Sequence, residues 1–135
     1  MISVHNIYSA GTLYTMSQLN TELSSIYFFK ENTNFWMAAI GWGGKVIFVK
    51  TPIYQKASYS VPMLVKESAH SGDLFAIDHL DNFLATGGLD NNIVLWNFQT
   101  GNVRQKISVP KSGANIFICS LKFIKVKGMI LLIVL

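Results

Sequence analysis

Between positions 70 and 90 the chain carries two histidines and four aspartates: His70, Asp73, Asp78, His79, Asp81 and Asp90. Imidazole and carboxylate are the groups that general acid–base catalysis uses, and the same nitrogen and oxygen donors ligate zinc. Either chemistry needs these groups to converge on one point. Extended backbone works against convergence, because successive side chains point to opposite faces. Strand alternation therefore scatters this cluster over faces and turns, and the spacing favours a structural role. The single cysteine, Cys119, has no neighbouring histidine or basic residue to activate it, and one cysteine cannot form an internal disulfide. A buried, reduced thiol is expected there, consistent with a cytoplasmic or other reducing compartment.

The elements that must hold these residues are strands. At 135 residues the chain has the length of one ordinary domain, with 50% hydrophobic and 13% charged residues. That composition excludes a disordered chain and suggests strands buried on both faces. The formal charge is +4, with Arg104, Lys106, Lys111, Lys122, Lys125 and Lys127 concentrated in the last third. Nucleic-acid binding would require these charges on one face beside stacking aromatics. Lysines alternating on exposed strand edges, where they discourage edge pairing, are the simpler account. Residues 1–7 lack the basic segment and apolar core of a signal peptide. The apolar run Met129 to Leu135 is far short of the roughly 20 residues that span a bilayer as a helix, so it reads as a buried strand and no membrane contact is expected.

In chain order, residues 1–21 form a lead in which Ile7-Tyr8 and residues 12–16 suggest a hairpin around Ala10-Gly11. Strands are then expected over 24–30, 35–42 and 45–50, separated by the turn-forming Glu31-Asn32-Thr33-Asn34 and by Gly43-Gly44. Pro52 ends the third of these, and a fourth strand is expected within 53–68, with Pro62 on an outer edge. The pattern repeats at 73–80, 83–88, 93–98 and 103–109, and begins again at 116–125 and 129–135. The internal period is 47 residues, Gly41 matching Gly88 and Val46 matching Ile93.

The stretch from Ala69 to Gly101 resembles one WD-repeat. The resemblance rests on Ala69-His70, on Leu84-Ala85-Thr86-Gly87-Gly88, on Asp90, and on Trp96-Asn97 followed by Thr100-Gly101. It implies an all-β fold, a partial β-propeller of about two and a half four-stranded antiparallel blades. Residues 22–66 would be a degenerate blade, 67–110 a well-formed one and 111–135 an incomplete third. It also implies a structural tetrad of His70, Thr86, Asp90 and Trp96, in which indole, hydroxyl, imidazole and carboxylate are linked in turn. The first repeat departs from this pattern, with Ala39, Gly43 and Val49 at the positions of Thr86, Asp90 and Trp96. It must hold together by apolar packing. Propellers typically close with 4–8 blades, so the chain reads as a fragment whose remaining blades come from a parent chain or another chain. Its open strand edges predict aggregation or partial disorder in isolation.

The segment Met37 to Val46, with its Gly41-Trp42 pair, is similar to a group of cilia- and flagella-associated WD-repeat proteins, as are His70-Ser71-Gly72-Asp73-Leu74 and Ser120 to Ile124. Membership would imply an axonemal, non-catalytic scaffold in the cytoplasm or cilium, without cofactor or metal, binding other proteins through its loops. The residues expected to contact partners are Trp42, Glu67, Ser68, Ser71, Asn91 and Asn92. Trp42 has a competing use as a space-filler between blades, which the apolar strand around it favours. The alternatives are an enzyme built on the His/Asp cluster and nucleic-acid binding through the Lys-rich last third.

Overall fold

A computed structural model describes residues 2–16, 21–51, 63–110 and 117–135. The described chain is all-β and antiparallel. A hairpin of β1 (Ile2–His5) and β2 (Thr12–Met16) comes first. A four-stranded meander follows: β3 (Leu23–Glu31), β4 (Asn34–Gly41), β5 (Val46–Thr51) and β6 (Met63–Lys66). The second meander comprises β7 (Leu74–Leu80), β8 (Phe83–Gly88), β9 (Asn92–Asn97) and β10 (Asn102–Ser108). A last hairpin pairs β11 (Leu121–Val126) with β12 (Met129–Val134).

The sheets stack face to face in chain order, each seam sealed by its own apolar cluster. Met37, Ala39, Ile47 and Val49 face Ile2 and Met16 of the first hairpin. The other face of the same strands sends Trp36, Ala38, Ile40 and Phe48 against Leu74, Leu84, Val94, Trp96 and Phe98. Beyond them, Ala76, Ala85 and Ile93 meet Ile118, Leu121 and Phe123. Central strands therefore bury both faces, which explains why their sequences run apolar instead of alternating. Successive sheets meet chiefly through their first strands, β3 against β7 and β7 against β11.

The two meanders repeat in detail. Leu23 pairs with Gly41 and Leu74 with Gly88, each followed by a bulge at the same rung. Trp42 N–H donates to the Glu22 carbonyl at 3.0 Å, and Leu89 N–H to the Asp73 carbonyl at 2.9 Å. A Cβ on Gly41 or Gly88 would overlap those same carbonyls, so only glycine permits the approach. Turn residues Asn32, Asp81 and Lys127, at the first hairpin of three successive sheets, all take the left-handed conformation.

Several sequence expectations need correction. Ile7 and Tyr8 lie in the turn between β1 and β2, not in a strand, and both are exposed. Trp42 leaves the strand in a 3-10 turn carried round by the left-handed Gly43 and Gly44, and it is 54% exposed instead of filling a core. Cys119 is exposed because its neighbour Ile118 takes the inward position. β12 forms as expected, but Met129, Leu131 and Ile133 lie on an exposed face, so the strand is not buried on both sides. Pro52, Pro62, Lys111 and Ile116 fall outside the described residues. None of the described helices is long and apolar enough to cross a membrane.

Candidate functional site

Alternation along β8 turns Leu84 and Thr86 toward the first meander and Ala85 toward the last hairpin. Trp96 lies opposite Leu84 in the β8–β9 ladder, so its indole reaches across to the Thr86 hydroxyl on the same face. His70 arrives from the connection between β6 and β7. Its backbone carbonyl packs so closely on Gly44 that a Cβ there would sit 2.6 Å from the oxygen. Asp90 stands in the turn before β9.

These four side chains form one hydrogen-bonded chain. Trp96 Nε1–H donates to Thr86 Oγ1 at 2.8 Å, and Thr86 Oγ1 lies 2.8 Å from His70 Nε2. His70 Nδ1 lies 3.1 Å from both Asp90 oxygens. Asp90 also accepts the Ser71 and Asn92 backbone N–H groups, each at 3.1 Å. Burial pushes the His70 pKa down, against the opposing pull of Asp90, so the ring is neutral near pH 7. For Asp90, burial raises the pKa, but the bonds from His70, Asn92 and Ser71 outweigh it and hold the carboxyl below its usual range. The proton positions follow. An ionised Asp90 can only accept, so His70 carries its proton on Nδ1, and Thr86 must donate to Nε2 while accepting from Trp96. Every polar atom in the chain then has a partner, the condition under which a buried polar network stabilises instead of costing.

The remaining members of the His/Asp cluster go elsewhere. Asp73 Oδ1 accepts Gly43 N–H at 2.7 Å, linking the two meanders at one end. Asp78 points to the opposite face of β7, where it accepts Phe123 N–H at 2.7 Å and the Lys122 ammonium at 3.2 Å. His79 stacks on Phe29 with ring centroids 3.9 Å apart, and Asp81 pairs with Lys125 at 2.8 Å. No group of three or more potential metal-binding side chains occurs among the described residues. Four of the basic residues of the last third, Arg104, Lys106, Lys122 and Lys125, have partners. Lys122 and Lys125 lie on the edge strand β11, and their ammonium groups bridge to the second meander. Lys106 donates to the Ala69 carbonyl, and Arg104 lies over the Phe83 ring.

The residues expected to touch partners divide. Trp42, Glu67, Ser68 and Ser71 are exposed, with Glu67 in an ion pair with Lys45. Asn91 is only 5% exposed, which corrects its placement on a contact surface. Its left-handed backbone tucks it under β10, where its carbonyl accepts Val109 N–H. Asn92 is spent internally, its amide bonding the Asp90 carbonyl and the Ser108 hydroxyl. Sequence reasoning missed Asp78 as a link between sheets. It also missed the exposed Leu89, which the 47-residue period places at the equivalent of Trp42. A scan against protein-family models matches no family, and a search of curated proteins returns no significant match.

The titrating groups set a pH dependence. His70 and His79 both have folded pKa values below the ordinary 6.5, burial being the largest cause for each. Protonation therefore favours the unfolded chain, and stability complete above about pH 6.5 declines as pH falls through the folded values. Asp78 and Asp90 are held below 3.8, their hydrogen bonds overcoming burial, so their contribution persists above that pH and is lost beneath it. Urea unfolding midpoints measured across pH 3–8 should show two acid-side declines. A flat profile between about pH 7 and 5 would contradict a neutral, buried His70.

Proposed function

We propose that the chain is a segment of a WD-type β-propeller acting as a non-catalytic scaffold for other proteins. The observation that carries this reading is the hydrogen-bonded chain of His70, Asp90, Thr86 and Trp96 at the seam between two repeated four-stranded sheets. It occupies the positions that the WD resemblance assigns to the tetrad. In the first meander Ala39 and Val49 replace the polar members and pack on Ile2 and Met16, as a degenerate blade requires. Stacking through the first strands is the arrangement that brings blades together around an axis.

The enzymatic alternative has an Asp–His–Thr arrangement to offer, but the Thr86 hydroxyl is fully buried and accepts the Trp96 N–H. A nucleophile must reach substrate, so the geometry favours a rigidifying role. Nucleic-acid binding is disfavoured because Lys122 and Lys125 spend their charge on Asp78 and Asp81. The ciliary resemblance makes axonemal proteins the partners to seek first.

Trp42 is the exposed anchor of this reading, and tryptophan is over-represented among interface hot spots. Quantitative affinity capture with the wild-type chain and Trp42→Ala tests it. A set of proteins should be enriched on the wild type and lost from the variant. Its stability should change by no more than about 0.5 kcal/mol, as expected for a surface position. Equal capture by both chains would overturn the assignment.

A further inference from the structure

We infer that the end of the stack carrying Trp42 is a docking strip for a protein segment that combines a basic side chain with neighbouring apolar ones. The inference rests on the scaffold reading and names the partner's chemistry. Trp42 and Leu89 occupy equivalent turns of the two meanders and are 54% and 46% exposed. Asp73 lies between them: its side chain accepts Gly43 N–H, next to Trp42, and its backbone carbonyl accepts Leu89 N–H. Phe117 and Phe75 extend the row, their ring centroids 5.6 Å apart and both rings partly exposed. The backbone places this pair beside Leu89, since Ile118 N–H donates to the Gly88 carbonyl. Trp42, Asp73, Leu89 and the phenylalanine pair thus lie along one end of the stack.

The charge of the strip selects the partner. Glu22 is exposed and gives its backbone carbonyl to Trp42 N–H, and Asp73 has one carboxylate oxygen engaged by Gly43 and the other available to a second donor. Lys45 is neutralised by Glu67 at 3.1 Å, and Lys106 keeps its charge while bonded to the Ala69 carbonyl at 2.9 Å, so Glu22 and Asp73 together leave this end net negative. An acidic segment would meet like charge here. A lysine or arginine would find the indole face, which attracts cations, together with the two carboxylates. Apolar side chains beside it would cover Leu89 and the phenylalanines.

Trp36 and Trp96 are buried, so Trp42 is the tryptophan whose emission a ligand at this strip would change. The chain is titrated at low salt with a soluble peptide alternating arginine and leucine, with its glutamate–leucine counterpart, and with an arginine–glycine control. The arginine–leucine peptide should shift Trp42 emission saturably, and the other two should bind at least about tenfold more weakly. Asp73→Asn keeps an oxygen for Gly43 N–H, so the fold should persist while affinity falls about fivefold and its salt dependence flattens. Leu89→Ala should weaken binding with the salt dependence intact, and Trp42→Ala, followed by calorimetry, should abolish it. No binding of the arginine–leucine peptide, equal binding of the glutamate peptide, or indifference to Asp73→Asn would each overturn the inference. If the peptides fail while Trp42-dependent capture of proteins persists, the scaffold reading stands and only the partner's charge is wrong. If that capture is absent as well, both fall.

Discussion

Trp96→Ala is expected to lower the unfolding free energy by about 3–5 kcal/mol, the range for truncating a large buried aromatic. The indole is essentially fully buried, packs edge-on to Phe48 with ring centroids 5.4 Å apart, and anchors the Thr86 hydroxyl. Apolar volume alone would account for much of that loss, so a second variant must isolate the network. Thr86→Val keeps the shape but leaves the Trp96 N–H and the His70 Nε2 acceptor buried without partners. Each such group costs about 1–3 kcal/mol, so a loss of about 3 kcal/mol is expected. Adding Trp96→Phe to Thr86→Val removes one of the two stranded groups. The double variant should therefore be clearly less destabilised than the sum of the single changes. Urea unfolding followed by circular dichroism reads all four corners of this cycle. Strict additivity would show that the four side chains are neighbours without being a coupled network.

Asp78→Ala should cost about 2–3 kcal/mol, and the loss should be local. Asp78 is 2% exposed and holds the last hairpin to the second meander through the Phe123 N–H and the Lys122 ammonium. Removing the carboxylate leaves the buried Phe123 N–H without a partner, at a cost of about 1–3 kcal/mol, and also gives up the bond to Lys122. Lys122 is well exposed and re-solvates, which keeps the loss below that of a fully buried ion pair. Hydrogen exchange should accelerate first in β11 and β12, with β4 and β5 unaffected. Asp78→Asn retains one acceptor for Phe123 and should recover part of the protection. Unchanged exchange across β11 and β12 in the alanine variant would dispose of the clamp.

Strand positions were legible because hydrophobic runs, turn residues and the 47-residue period are local properties. Asn32, Asp81 and Lys127-Gly128 sit where two-residue turns were needed, seven strands of the two meanders fall within a few residues of their expected places, and β6 lies inside the broad window 53–68. The links between sheets were less legible. Asp78 and His79 are adjacent in sequence, yet one clamps the last hairpin while the other stacks on Phe29 in the first meander. Alternation announces that they part company, but not what each will meet.

The amino-acid sequence by itself determined an all-β chain with a repeated four-strand unit, while the grouping of His70, Thr86, Asp90 and Trp96 came from the resemblance of that stretch to a WD-repeat. Residue type, spacing and glycine placement act through the chain's nearest neighbours, so they can be read without coordinates. Only the tertiary structure decided that Trp42 and Cys119 face outward, that Asn91 turns inward, and that Lys122 and Lys125 are spent on inter-sheet ion pairs. Those outcomes depend on which sheet face lies opposite each side chain, a relation set by stacking between segments distant in the chain.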